Sequence, residues 1–172
     1  FAILKKAHQR MQFELENAWQ ARGKNLPYQT AYEALIMASI VEKETGQATE
    51  RRTIAGVFVR RLKQDMRLQT DPTVIYGMGD NYDGDIKRSD LRQFTPYNTY
   101  RIEGLPPTPI AMPGLASIEA ALNPEPGSSL YFVARGDGSH QFSDTMSQHV
   151  EAVRKFQIEQ RAKNYQSAPK KP

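Results

Sequence analysis

The stretch from Thr30 to Thr45 most narrows what this chain can fold into. Thr30 suits a helix N-cap, Glu33 follows three residues later in the capping-box arrangement, and Gly46 ends the segment. Between them, Ala34-Leu35-Ile36-Met37-Ala38-Ser39-Ile40-Val41 is apolar around most of a helix circumference. A helix without a polar side must be wrapped by other elements. The pattern therefore predicts that the helix opened by Thr30, running to Glu44 or Thr45, is the buried one. A chain of 172 residues suffices for that, since one domain of this size buries roughly 70% of its unfolded surface.

Outside that helix, periodicity is plain at both ends of the chain and absent in the middle. Phe1 to about Ala21 repeats Leu4, Ala7, Met11, Leu15, Ala18 and Trp19 at helical spacing, closed by Gly23 and Leu26-Pro27. A third helix runs from about Ala48 to Gln64, mixing Ile54, Val57, Phe58 and Leu62 with Arg51, Arg52, Arg60 and Arg61. From Met66 to Pro113 the chain is rich in Pro, Gly, Asp and Tyr, and only short pieces fit. These are an extended run at Arg67–Thr70, a helical turn after Asp71-Pro72, another after Ser89, and a polyproline-like stretch over Gly104–Pro109. Ser117 is placed to cap a short helix ending near Asn123-Pro124. Leu130–Arg135 alternates as a strand, Asp137-Gly138 marks a hairpin turn, and His140–Phe142 returns beside it. Ser143 or Asp144 opens a last helix to about Tyr165. The class is α+β: a mostly helical domain over 1–166 with a buried helix, a small antiparallel β element, a long Pro/Gly-rich irregular middle, and a polar tail at 167–172.

Composition removes several classes of function. There is no cysteine, which excludes disulfide scaffolds, thiolate metal sites and cysteine nucleophiles. His8, His140 and His149 have neither HExxH nor His-x-x-x-His spacing, so no metal or other cofactor is expected. Gly79-Asp80-Asn81-Tyr82-Asp83-Gly84 resembles the opening of a calcium loop, but Gly79 stands where the first ligand belongs, and it reads as a polar turn. Ser139-His140 and Ser143-Asp144 lack the nucleophile-elbow pattern of a serine hydrolase. Mean hydropathy is −0.64 and no long apolar run offers a spanning helix. The net charge of +4 is uneven: residues 1–65 carry 11 basic and 7 acidic groups, 66–142 carry 6 and 9, and 143–172 carry 6 and 3. The loop-rich middle is thus acidic, which argues against nucleic acid as a partner. Phe1-Ala2-Ile3-Leu4 enters a helical pattern with no initiator Met, so the chain reads as part of a longer protein.

Chemistry gathers first at the end of the buried helix. At helical spacing, Met37, Ile40 and Val41 lie within about 60° of the direction of Glu44, which continues their apolar stripe. A carboxyl on such a stripe loses hydration, and the partial negative charge of the helix C-terminus acts the same way, so both effects favour the protonated form. That is the state a general acid needs for a glycosidic oxygen. Spacing alone leaves open the other reading, a solvated last-turn Glu or a partner of Lys43, Arg51 or Arg52. Glu42, about 160° away toward Leu35 and Ala38, is the weaker candidate.

Two further segments carry polar groups suited to a sugar. In Gln69-Thr70-Asp71-Pro72, Asp71 can cap the turn that follows, while Gln69 and Thr70 present an amide and a hydroxyl. In Tyr97-Asn98-Thr99-Tyr100, two rings flank an amide and a hydroxyl, matching the apolar faces and the acetamido groups of a glycan. A Tyr-rich loop packed on the core by its rings is an equal alternative.

These segments occur in a telling order: Ala38-Ser39-Ile40-Val41-Glu42-Lys43-Glu44, Arg67-Leu68-Gln69-Thr70-Asp71-Pro72-Thr73-Val74-Ile75-Tyr76-Gly77, Tyr97-Asn98-Thr99-Tyr100, Gly104-Leu105-Pro106-Pro107 and Pro113-Gly114. Leu130-Tyr131-Phe132-Val133-Ala134 and the His140–Phe142 return follow. Together they resemble the MltG/YceG-like endolytic murein transglycosylases of bacterial cell walls over nearly all of the chain. The resemblance implies a lyase acting on peptidoglycan glycan strands. It would cut the β-1,4 bond between N-acetylmuramic acid and N-acetylglucosamine and leave a 1,6-anhydromuramic acid end. It gives the catalytic role to the second Glu of Glu-Lys-Glu, here Glu44, and requires no cofactor. Gln69, Asp71, Tyr97 and Asn98 are expected to line the groove and position acetamido groups. The resemblance further implies a parent with an N-terminal membrane helix and a LysM-like subdomain, anchored in the inner membrane and facing the periplasm. Two readings from other classes stand beside it. One is a glycan-binding module without turnover. The other is an interaction domain for cell-wall synthases (penicillin-binding proteins) that uses the basic outer helices, Arg60 and Arg61 among them.

Overall fold

A computed structural model describes residues 1–159; the end of the expected last helix and the tail at 167–172 lie outside the described residues. The helix α2, Ala31–Glu44, lies at the centre, and every residue from Ala34 to Val41 is buried. Its N-terminus is closed as expected, with Thr30 Oγ1 accepting from the Glu33 amide at 3.2 Å. Around it pack α1 (Ala2–Gln20), α3 (Arg51–Lys63, entered through a 3-10 turn at Ala48–Glu50) and α6 (Leu115–Leu122). Met37, Ile40, Ile54, Phe58, Ile118 and Leu122 belong to one continuous core. Between α3 and α6 lie two short helices, α4 (Asp71–Met78) and α5 (Arg88–Arg92). The chain then forms the antiparallel pair β1 (Tyr131–Ala134) and β2 (His140–Ser143), with Phe132 opposite Phe142, and α7 (Met146–Val153) continuing into a π-helical turn at Arg154–Glu159.

Two helix starts differ from expectation for the same reason, a partner from elsewhere in the fold. Ser117 lies inside α6 rather than capping it, and Gly114 occupies the N-cap position. The group serving that end is Glu42, whose Oε2 accepts from the Gly114 amide at 3.1 Å and the Ser117 hydroxyl at 2.6 Å. A carboxylate at a helix N-terminus is favoured by the exposed amides and their dipole, so the weaker candidate acid is the anchor of α6. The last helix begins at Met146, with Thr145 and Gln148 forming its capping box. Ser143 remains paired with Tyr131 in the sheet, and the Asp144 carboxylate accepts from the Ser128 and Ser129 hydroxyls.

The basic side chains of α3 hold the chain that leaves α6. Arg52 Nε donates to the Asn123 carbonyl, Arg60 to the carbonyls of Glu125 and Ser129, and Arg61 Nε to the Leu130 carbonyl. The segment 123–130 passes so close that a Cβ on Gly56 would stand 2.5 Å from the Glu125 carbonyl oxygen, which only glycine allows. Arg60 and Arg61 are thus engaged with their own chain.

The irregular middle is fixed by polar contacts instead of apolar periodicity. Ser39, buried in α2, accepts from the Ile110 amide at 2.9 Å and so ties the polyproline-like segment to the central helix. The Asn98 side chain is 1% exposed; its Nδ2 lies 2.6–3.2 Å from the carbonyls of Asp90, Leu91 and Gln93, and its Oδ1 accepts from the Tyr100 amide. Asn98→Ala leaves those groups without this partner and should destabilise the fold by about 2–3 kcal/mol. Urea unfolding with an unchanged m-value is the check; a loss below about 0.5 kcal/mol would contradict the role given to it.

Candidate active site

At Thr45 the backbone leaves the helix for extended geometry, and Glu44, the last residue of α2, lines a cleft of about 730 Å³. Asp71, Pro72 and Ile75 of α4 form one wall, and Tyr131 of β1, His149 of α7 and Arg61 of α3 form another. Glu44 is half-buried there. Its Oε2 accepts from the Thr70 hydroxyl at 2.7 Å.

Thr70 is aimed by a small buried network. Its amide donates to Thr99 Oγ1 at 3.0 Å, and its carbonyl accepts from Thr73 Oγ1 at 2.7 Å. The two remaining hydroxyls, of Thr73 and Thr99, lie 2.8 Å apart, so each is satisfied within the network. Just before it, Gln69 has a φ of +53°, a left-handed conformation uncommon outside glycine. Two contacts hold it there: its amide donates to the Thr99 carbonyl, and its Oε1 accepts from Arg61 Nη1. This turn lets Leu68 enter the core while Thr70 meets Glu44 and the Gln69 side chain stays exposed at the cleft. Backbone strain of this kind persists only where the surroundings over-determine it, and it clusters at working sites.

Burial pushes the Glu44 carboxyl up to about 7; the Thr70 hydrogen bond pulls the other way, and the charge of Asp71 adds to the rise. Asp71 is the first residue of α4 and does not cap it; Thr70 holds the N-cap position, and Asp71 Oδ1 accepts from the Tyr100 hydroxyl at 2.7 Å. Burial, reinforced by Asp71, keeps that phenol protonated.

The expected groove residues therefore divide. Gln69 and Asp71 share the cleft with Glu44. Tyr97 and Asn98 stand away from it. The Tyr97 ring packs against Tyr76 with centroids 4.9 Å apart, its hydroxyl pairs with Thr108, and the Asn98 amide is committed to main-chain groups. Sequence reasoning missed Arg61, Tyr100, Tyr131 and His149 as cleft residues. Tyr100 stood in the segment already singled out, three residues from the ring that was chosen. Arg61 gave no local signal, because its acceptors lie on Leu130, Arg67 and Leu68.

The YceG-like family matches residues 1–155. The chain belongs to the YceG-like family. It is 43% identical over 127 residues to a Bacillus subtilis (strain 168) protein named endolytic murein transglycosylase, covering 74% of this chain and 35% of that one. A Streptococcus pneumoniae (strain D39) protein of the same name is 39% identical over 117 residues, covering 66% and 21%. The crystal structure of a YceG-like protein from Listeria monocytogenes matches with a TM-score of 0.67 at 45% identity, covering 72% of this chain and 40% of that one. The chain thus spans about a third of the length of the first relative and about a fifth of the second.

The two influences on Glu44 can be separated by substitution. Thr70→Val removes a donor to the carboxylate and should raise the Glu44 pKa above 7, while Asp71→Asn removes a neighbouring charge and should lower it. Carbon-detected NMR of the side-chain carboxyl reads both shifts, and a shift of the same sign in the two variants would refute the account. Stability follows by linkage. Between about 4.5 and about 7 the folded protein holds a proton that the unfolded chain has released, so stability falls as pH rises through that window. Glu44→Gln should remove this decline and gain roughly 1–3 kcal/mol at pH 8, read from denaturant midpoints.

Proposed function

We propose that this chain carries the catalytic centre of an endolytic peptidoglycan lytic transglycosylase, with Glu44 as its single acid and base. The observation that supports this most is a half-buried carboxyl, raised to about 7, at the end of a buried helix and open to a cleft. The names of the Bacillus and Streptococcus relatives point to the same chemistry. A group with a pKa near neutrality is a competent proton donor and, once ionised, a competent acceptor.

Glu44 protonates the glycosidic oxygen between N-acetylmuramic acid and N-acetylglucosamine as that bond breaks. The C6 hydroxyl of the same muramic acid ring then attacks the anomeric carbon, and the Glu44 carboxylate takes its proton. One bond is broken, one is formed, and the proton balance returns to its start. Attack from within the ring avoids the entropy cost of a second reactant. It also removes the need for a second carboxylate, which hydrolytic glycosidases commonly use as the nucleophile or as the base for water. Thr70 holds the carboxyl in one orientation and steadies its charged form. Gln69 and Asp71 are placed to engage the polar groups of the sugars. The work lies outside the cytoplasm on the cell wall, with glycan strands as the partner and, in the parent protein, an inner-membrane anchor with a periplasm-facing catalytic part. Cell-wall synthases remain proposed partners, but Arg60 and Arg61, engaged internally, are poor candidates for that contact.

The test is to incubate purified glycan strands with the wild-type protein and with Glu44→Gln and to read the new ends by mass spectrometry. Anhydromuramic ends from the wild type, reduced at least about 100-fold in the variant, are expected. The rate should fall as pH rises past about 7, where Glu44 loses its proton. Free reducing ends would mean hydrolysis, and undiminished cutting by the variant would remove Glu44 from the mechanism.

A further inference from the structure

Arg61 is the cleft residue that this reaction leaves without a task. It is 7% exposed. Its Nε donates to the Leu130 carbonyl at 2.6 Å, and its Nη1 reaches the carbonyls of Arg67 and Leu68 at 3.0 Å and Gln69 Oε1 at 3.3 Å. All of these acceptors are neutral. Among the described residues no carboxylate pairs with it, and residues 160–172 contain neither Asp nor Glu. A buried guanidinium stays cationic near neutral pH, and burying it without a counter-charge is unfavourable. Its Nη2 makes no hydrogen bond among the described residues, and the side chain lines the cleft.

His149 stands on the same wall. Its ring stacks on Tyr131 with centroids 5.3 Å apart, and the Arg61 guanidinium carbon lies 5.0 Å from the centre of that Tyr131 ring. The His149 Nδ1 is buried and has no partner among the described residues. A buried N–H without an acceptor is rarer and costlier than a bare lone pair, so the proton belongs on Nε2. Burial and the Arg61 charge hold the ring neutral. The wall therefore offers two donors, Arg61 Nη2 and His149 Nε2, oriented by one aromatic ring. The acids that line the cleft do not pair with it among the described residues: Asp71 is hydrogen-bonded to Tyr100, Glu44 to Thr70, and Asp85 forms no ion pair with Arg61.

We propose that Arg61 and His149 form a carboxylate-binding subsite that recognises the acidic substituent of the muramic acid residue in the strand being cut. The identity of the ligand rests on the glycan-cleaving reading above; the need for an anion follows from the uncompensated cation. Murein offers this chemistry from two sources, the lactyl group on the sugar, free when no peptide is attached, and the acids of the stem peptide. A polymer of N-acetylglucosamine alone has neither. The subsite would thus separate murein from chitin-like chains.

Calorimetry in a Glu44→Gln background, where turnover is stopped, tests this with three probes: chitotetraose, a muramyl tetrasaccharide with free lactyl groups, and the same tetrasaccharide bearing stem peptides. At least one muramyl probe should bind roughly tenfold or more tightly than chitotetraose. His149→Phe, which keeps the ring on Tyr131 and removes the donor, should remove most of that preference while chitotetraose binding is unchanged; Arg61→Gln should also remove the preference, with some loss of chitotetraose binding because Arg61 holds Gln69 as well. Preference confined to the free-lactyl probe assigns the sugar's own carboxylate, and preference confined to the stem-bearing probe assigns the peptide. Absence of preference among the three, or a preference that survives His149→Phe, overturns the subsite; that variant decides the matter even if Arg61→Gln fails to fold. The anhydro ends made by the wild type are read independently, so failure of the subsite is distinguishable from failure of the reaction.

Discussion

The hydrogen bond from Thr70 to Glu44 joins two parts of the molecule that are held in place by different physics. Glu44 is positioned by apolar burial: it stands at the end of a helix whose preceding residues are sealed in the core. Thr70 is positioned by polar satisfaction, through Thr73, Thr99 and the left-handed turn at Gln69. Neither arrangement alone makes a site. The bond matters because it opposes desolvation, the larger effect on the carboxyl. Without such a donor a buried carboxyl is held more firmly in its neutral form; with one, the charged form stays accessible. In the proposed reaction Glu44 gives a proton and then takes one, which a pKa near neutrality permits.

The same division runs through the rest of the fold. Helices α1, α2, α3 and α6 are a conventional apolar assembly. The chain between α3 and α6 has little periodicity to bury, and it is held by side chains that satisfy main-chain groups: Asn98 on three carbonyls, Ser39 on Ile110, and Arg61 on Arg67, Leu68 and Leu130. Main-chain polar groups in an irregular segment must find partners somewhere. Here they find them on a few buried polar residues, of which Arg61 also lines the cleft. Arg61 links the two systems most directly, since one side chain fixes the start of β1 and the segment that carries Thr70.

How much of this was legible in the sequence follows from the range of the interactions. The central helix, its N-cap, the hairpin and the direction of Glu44 depend on spacing and local chemistry, and they were readable. Ser117 and Asp71 were misread because both sit at helix starts where a residue of that type normally caps its own turn. In the fold, Glu42 serves α6, and Asp71 turns to Tyr100, partners that lie 75 and 29 positions away in the sequence. Tyr97 and Asn98 have the right chemistry for a sugar, but nothing local says whether an amide faces a groove or three carbonyls. Arg61 and His149 could not be placed in the cleft for a related reason: which groups face them, and which among the described residues do not, is defined only by the packed chain.

Three carboxyl groups line the cleft, Glu44, Asp71 and Asp85, and the settings of the first two bear on the proposed use of a single acid. Glu44 ends α2, where exposed carbonyls disfavour negative charge; Asp71 begins α4, where exposed amides favour it. The helix end disfavours charge on Glu44, and the charge on Asp71 raises the proton affinity of Glu44 further. Asp71 is also tied to the Tyr100 hydroxyl, which leaves it less available as a base for water. In the proposed reaction, a carboxyl able to hold its proton near neutrality suits a step in which positive charge develops on the sugar and the nucleophile is already part of the substrate.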